Sequence, residues 1–540
     1  MKKLLSALLA LMTILSMTVL AVPVSAAETS TVSVWDGSTA PGFAKGDGTE
    51  ANPYEIWTAA ELKYLASTLE TKGTSSDTNR FGKHYELMVD IDLAGKEWVP
   101  IGISGATKNC QWFEGYFDGN GHTVSNFTVV EGTSLGGLFG AAGGVIENLK
   151  VAKATIYGTT CAGGIAASLH QGVGSTTGAP MALTIRNCEV AADVTVKTGT
   201  EGTNSRVGGI IGAVYDDGML TVENCINRAT VILQSASKSL PCAGGIVGML
   251  RTGSIENCIN YGDVIIEIDR KAEICGGGIV GLTSLATIGY TLTIENVINY
   301  GNVTGKNTNA DAAAGISVGG ILGKAGTNKN AGDATSATLE NVYSLAPSVT
   351  ASGSLAYAGE VVGNATGDFM ITNTTALDLK DVDVVGNKDE AFIVGSGKVA
   401  LAKSKADIEK IENYNTILLS VTGAGKEVAA PETTAAPETT KAPETTKAPE
   451  TTKAPETTKA PETTKAPVTT KAPETTKAPV TTKAPETTKA PVTTKAPETT
   501  KAPAQTPATG SSVVVIVACA AIAMVATLMA ASYTQRRRQH

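Results

Sequence analysis

The chain is short of the residues from which most catalytic and metal centres are built. It has four histidines in 540 residues, and one of them is the last residue. No His-Glu-x-x-His, Cys-x-x-Cys, Gly-x-Ser-x-Gly or phosphate-cradling glycine loop occurs, so zinc peptidase, zinc ribbon, serine hydrolase and nucleotide-binding chemistry lose their sequence basis. Aromatics make up 5% and charged residues 17%. Positive charge is also scarce where it would matter. The formal net charge is −8; removing two N-terminal lysines, three C-terminal arginines and the excess of eleven lysines over nine glutamates in residues 429–505 leaves −15 on residues 28–428. A body that acidic repels phosphate backbones, so nucleic acid is not an expected partner.

What is present first marks the ends. Met1-Lys2-Lys3, the apolar run Leu4–Val22 and the small residues Val24-Ser25-Ala26 have the form of a secretory signal cleaved after Ala26. A second apolar run, Val513–Tyr533, is long enough to cross a hydrocarbon core of about 30 Å. Arg536-Arg537-Arg538 follows and predicts a cytoplasmic tail with the body outside. Between these, residues 429–505 repeat Lys-Ala-Pro-Glu-Thr-Thr, with Val at 468, 480 and 492, and contain no aromatic residue. Nothing in that stretch can offset the entropy of ordering a core, so it reads as an extended stalk reaching up to ~220 Å in polyproline-II form. Its paired threonines are candidate O-glycan sites.

Thr506-Pro507-Ala508-Thr509-Gly510, the apolar span and the basic tail together resemble the cell-wall sorting signal of Gram-positive surface proteins, with Thr506 where the usual motif has leucine. The resemblance implies that a sortase cuts between Thr509 and Gly510 and joins Thr509 to peptidoglycan. An ordinary single-pass anchor is the alternative, and it too places the body at the surface.

The body is repetitive. Gly-Gly-apolar-apolar-Gly starts at Gly136, Gly208, Gly244, Gly277 and Gly319, with weaker copies at Gly163 and Gly359, and successive starts lie 27, 45, 36, 33, 42 and 40 residues apart. Each copy is followed by a second element such as Ile255-Glu256-Asn257-Cys258 or Ile294-Glu295-Asn296-Val297, then by a β-branched stretch such as Val264-Ile265-Ile266. No unit can bury its own apolar face, but stacked coils can. The expected fold is therefore all-β, a parallel β-helix or solenoid of about seven or more three-strand coils, with short helices near the ends. Parallel crossovers make a right-handed coil the expectation. The recurrent glycines suit a positive φ or close approach of the next coil. The recurrent asparagines suit a stacked amide ladder or a left-handed turn. Irregular spacing predicts insertions at corners, such as 168–182 and 198–206.

Gly136-Gly137-Leu138-Phe139-Gly140 and its copies resemble the GLUG motif of bacterial surface proteins and adhesins. So does the preceding stretch, including Trp98-Val99-Pro100-Ile101-Gly102 and Asp118-Gly119-Asn120-Gly121-His122. The match covers about residues 33–375. All four tryptophans and 14 of 25 aromatics lie between 35 and 139, which predicts a packed N-terminal cap with the first coils over 27–135, repeats over 136–376 and a C-terminal cap over 377–428. Thr58 to Glu61 forms a capping box opening a helix with Leu62, Leu65 and Leu69 on one stripe; Ala406–Tyr414 reads as another helix with Ile408 and Ile411 inward.

Seven cysteines lie in the body. Cys161, Cys242 and Cys275 each precede a Gly-Gly, and Cys188, Cys225 and Cys258 each follow the repeat asparagine. Two repeat columns and an odd count predict buried thiols rather than disulfides, and no cofactor. Of His84, His122 and His170, His122 is the most site-like, yet it matches a turn. Asp90 and Asp92 share a strand face opposite Ile91, as a solvated edge, calcium ligands or a carboxylate pair.

These readings converge on a non-enzymatic, wall-anchored surface protein with no catalytic residue assigned. Its expected partners are sortase and peptidoglycan at the anchor and an unnamed host, matrix or glycan ligand at the body. The alternatives are a β-helix polysaccharide-degrading enzyme, on fold analogy alone, and a purely structural wall component.

Overall fold

The computed structural model describes residues 32–69, 82–102, 112–169, 182–199, 205–214, 218–234, 241–284, 292–311, 314–326, 337–365, 369–386 and 399–422. The segments expected to be a secretory signal (1–26), a stalk (429–505), a sorting motif (Thr506–Gly510) and an apolar span (513–533) lie outside the described residues, as do Cys110, Cys519, His170 and most of the two expected insertions.

Strand pairings are parallel throughout the described strands. Antiparallel bridges join only Lys45 to Glu55 and Thr49 to Asn52, in the N-terminal turn. Register follows the repeat residue by residue: Cys242 pairs with Cys275 and Gly244 with Gly277, Ile255 with Ile294 and Asn260 with Asn299. The fold is the expected parallel β-solenoid. Within one coil the three expected runs appear as Cys242–Gly244 with Val247–Leu250, Gly253–Asn260, and Val264–Ile268. The first run bends at the glycine pair, and the second bends at its asparagine.

Alternation fills the interior. Ile255 and Cys258 are completely buried while Glu256 between them stays half-exposed, and the same inward positions form one continuous core from Trp35 to Ala376. Each fully buried Ile, Val or Leu contributes roughly 1.5–3 kcal/mol by leaving water.

The structure separates the two roles left open for the conserved-looking corners. The seven repeat asparagines, Asn148 to Asn373, all have φ between +46° and +54°; they make the left-handed turn. They also stack: Asn187 Nδ2 donates to Asn148 Oδ1 at 2.9 Å, Asn224 to Asn187 at 3.2 Å and Asn341 to Asn296 at 3.0 Å. The paired glycines are not in the left-handed region. They serve close approach instead: a Cβ on Gly245 would lie 2.1 Å from the Gly278 carbonyl oxygen and 2.4 Å from Asn260 Cγ.

That last contact exposes a second, interior asparagine column. Asn227, Asn260 and Asn299 are fully buried. Asn227 Nδ2 donates to Asn260 Oδ1 and Asn260 Nδ2 to Asn299 Oδ1, each at 2.8 Å. Each amide also closes its own turn, as when Gly262 N donates to Asn260 Oδ1. The second glycines Gly209, Gly245 and Gly278 lie flat over Asn227, Asn260 and Asn299, so in these three coils glycine and interior asparagine form one device.

The cysteines fall into the two expected columns, buried, with no disulfide among the described residues. Cys188, Cys225 and Cys258 enter the main core, and each Sγ donates to a carbonyl two residues back at 3.2–3.3 Å. Cys161, Cys242 and Cys275 pack across the glycine bend against Ala167, Ala213, Met249 and Leu282 in a separate small cluster. Burial pushes the Cys242 thiol up to about 12 and raises Cys188, Cys258 and Cys275 as well.

The ends differ. Helix α1 (Ala59–Thr68) opens with the expected reciprocal capping box of Thr58 and Glu61, and Leu62, Leu65 and Leu69 are buried. Around it Phe43 stacks on Tyr54 at 4.6 Å and Trp35 meets Trp98 edge-on at 6.1 Å. At the other end the single helix expected over 406–414 is instead two, α2 (Lys405–Ile408) and α3 (Glu412–Thr422). Asn415 Nδ2 donates to the Glu409 carbonyl, a group that a continuous helix would use, and also to the Ile411 carbonyl, which keeps its bond from Asn415 N. Nor does α3 cover the last coil. Tyr414, Ile417 and Leu418 pack on Ile226, Ile259, Ile298 and Tyr343, a flank shared by successive coils.

The last Gly-Gly copy carries Glu360 in place of its second glycine. Glu360 is 1% exposed; Leu379 N donates to its Oε1 at 2.8 Å, while Oε2 has no partner. Burial pushes this carboxyl up, with Asp378 and Asp383 adding to the shift. The strand register slips there, between Gly359 and Val362.

Candidate binding groove

Because the Ile-Glu-Asn element keeps its register from coil to coil, the residue after each buried isoleucine projects outward at the same place. Glu55 pairs with Glu86, Glu86 with Asp118, Asp118 with Glu147, and Glu147 with Arg186. Arg186 then pairs with Glu223, followed by Glu256, Glu295 and Glu340. A row of acids interrupted by one arginine therefore runs along the coil axis at the parallel-strand spacing of ~4.8 Å. Like charges at that spacing repel. Burial pushes the Glu295 carboxyl up, and Glu340 and Glu256 push it further. Glu86 is likewise raised by burial, then by Asp118 and Glu55.

Two residues earlier on the same strands, and so on the same outer face, runs a second row. It begins with His84 and Tyr116, whose rings stack at 4.2 Å with 6° between planes. It continues through Val145 to Thr184, Thr221, Ser254, Thr293 and Thr338. Where the aromatic part of this row meets the acids, a groove of about 440 Å³ opens, lined by Glu50, Pro53, His84, Tyr85, Glu86, Tyr116, Asp118, Glu147 and Arg186. Tyr116 is 46% exposed. Arg186 Nε is paired with Glu147, a bond that raises the guanidinium further. Asp118 is fixed by Asn148 Nδ2 at 2.9 Å and Asn120 N at 2.7 Å.

Residues singled out in the sequence take other places. His122 Nδ1 lies 3.2 Å from Asp90 Oδ1, which also accepts from Thr123 N at 2.9 Å. Asp92 accepts from Ala94 N and Asn126 Nδ2. Asp90 and Asp92 thus hold turns and neighbouring coils, with Ile91 buried opposite them. His84, not His122, lines the groove. Among the described residues no three His, Cys, Asp or Glu side chains converge as a metal-ligand set, and no helix is long and apolar enough to cross a membrane. The acid row went unread in the sequence although the repeated Ile-Glu-Asn contained it. The aromatic pair had no local signal, since His84 and Tyr116 meet only through one turn of the coil.

No family model matches the chain. Residues amounting to 34% of the chain are 31% identical, over 198 residues, to Halomucin of Haloquadratum walsbyi. A 119-residue stretch, 20% of the chain, is 36% identical to a Gly-rich membrane protein of Evansella cellulosilytica. The chain spans 2% and 12% of the lengths of these two curated relatives. A solved structure described as an immunoglobulin A1 protease of Bacteroides ovatus superposes with a TM-score of 0.42 at 22% identity, covering 70% of this chain and 90% of that one.

Proposed function

We propose that this chain is a non-enzymatic cell-surface protein. It is exported, its solenoid is carried on the 429–505 stalk, and sortase joins it at Thr509 to the peptidoglycan of a Gram-positive wall. The body acts as an adhesin or glycan-contacting module. The observation that carries the binding role is the groove opening into two parallel outward rows: an exposed track along a rigid scaffold suits a linear polymer. A relative named as a membrane protein fits the location. Fractionation of the producing cells, followed by mass spectrometry of wall digests, tests the reading. The expected result is a wall fraction containing Thr509 joined to a cross-bridge; recovery of the chain in the cytosol overturns it.

One observation favours a second reading. Glu86 and Asp118 are neighbours on adjacent strands in the groove, and burial raises the Glu86 carboxyl above its ordinary value, as suits the acid of a glycoside-cleaving pair. Release of reducing ends from wall, plant or host glycans, abolished in Glu86→Gln, would establish that activity in place of simple binding.

A further inference from the structure

We infer that the groove and the rows leading from it take an amine-bearing saccharide, a linear chain of hydroxylated rings with free amino groups, laid along the coil axis. This rests on the surface-binding reading above and names its ligand class.

Charge sets the first condition. Of the four carboxylates lining the groove, Glu147 alone is ion-paired, to Arg186, whose single charge is also shared with Asp118. Glu50, Glu86 and Asp118 have no ion pair among the described residues. A uronate or sulfated glycan would face net repulsion there, whereas an ammonium group supplies the missing charge. The wall beside the acids sets the second condition. An ammonium placed against the half-exposed Tyr116 ring gains from the aromatic quadrupole as well as from the carboxylates, and the parallel His84–Tyr116 stack fixes that ring.

The continuation of the two rows sets the third. Past the groove, the column that began with His84 and Tyr116 becomes the hydroxyls of Thr184, Thr221, Ser254, Thr293 and Thr338, each half-buried beside an acid or Arg186. A hydroxyl row and a carboxylate row running side by side on Thr221–Glu223 to Thr338–Glu340 match a ligand that carries hydroxyls and amines together. A lysine-rich peptide satisfies the charge and leaves the hydroxyl row unused.

Binding of a glucosamine oligomer to the full chain in detergent, measured by calorimetry, tests this against three competitors of similar length: the N-acetylated oligomer, oligolysine and oligogalacturonate. The expected result is that the glucosamine oligomer binds about 10-fold or more tighter than each competitor and weakens in about 0.5 M salt. Glu86→Gln/Asp118→Asn and Tyr116→Ala should each weaken it about 10-fold, while Asp407→Asn, far from the groove, leaves it unchanged. Circular dichroism melting of each variant separates lost binding from lost folding. Equal or tighter binding of the N-acetylated oligomer, the uronate or oligolysine overturns the inference, as does wild-type affinity in a folded Glu86→Gln/Asp118→Asn. A chain that prefers uronate yet sits in the wall fraction loses this ligand class and keeps its surface role; a cytosolic chain loses the surface role whatever it binds.

Discussion

Two columns of asparagine turn neighbouring corners of the same coil, for different physical reasons. The outer column, exemplified by Asn187, is exposed and sits at φ +54°. Its residue type follows from a backbone conformation that most side chains resist, and its amide ladder faces water. The inner column, exemplified by Asn260, is completely buried and bonded to coils on both sides. Its residue type follows from hydrogen-bond demand in a place water does not reach, with glycine required on top of it. One letter in the sequence thus stands for a conformational constraint at one corner and a polar-satisfaction constraint at the next.

The inner corner should be the more fragile. Asn260→Leu removes partners from Asn227, Asn299 and Gly262 in the core, and each stranded group costs on the order of 1–3 kcal/mol; a loss of about 3–5 kcal/mol in denaturant unfolding is expected. Gly245→Ala tests the same device from above. Its Cβ would meet backbone and amide at 2.1 and 2.4 Å, so about 3 kcal/mol should be lost although only one methyl is added. If Asn260→Leu costs no more than its outer counterpart, the distinction between the corners fails.

At the outer corner Asn187→Ala should cost about 1 kcal/mol, since a left-handed alanine is disfavoured while water replaces the ladder. Asn187→Gly should recover most of that loss, whereas Asn260→Gly should not rescue the inner site. That pair of glycine variants is the sharpest single comparison.

The smallest effect concerns the acids beside the outer corner. A carboxyl raised in the folded state stabilises when protonated and loses that contribution as pH rises through its folded value. Glu295 is raised by burial, Glu340 and Glu256. Glu295→Gln should therefore stabilise the protein at pH 7 by a few tenths of a kcal/mol. The gain should disappear below the ordinary glutamate value of 4.5, as thermal melts across that range would report.

Much of the fold was legible because its determinants repeat in one dimension. Gly-Gly-Ile-Val-Gly and Ile-Glu-Asn-Cys reveal the coil and its bends, and the Thr58–Glu61 box reveals α1. The roles behind the letters were less legible: the glycines answer to neighbouring coils and not to their own φ, which no local pattern records. The interior ladder hid in Ile-Asn-Tyr-Gly at 259–262 and 298–301, where asparagine beside glycine reads equally well as an ordinary surface turn. The break before α3 depends on the Asn415 side chain, and the seat of that helix depends on an apolar flank assembled from four coils. The groove was least legible, because its aromatic stack and acid row exist only once the coils are laid on one another.

Glu360 disturbs the stack without ending it, since Asp383–Val385 still pairs with the strand that carries it. The next strand passes it out of register and encloses an acid that has one oxygen unsatisfied. Units this alike invite pairing in register along the axis; a carboxylate where the other copies carry glycine is where that register breaks.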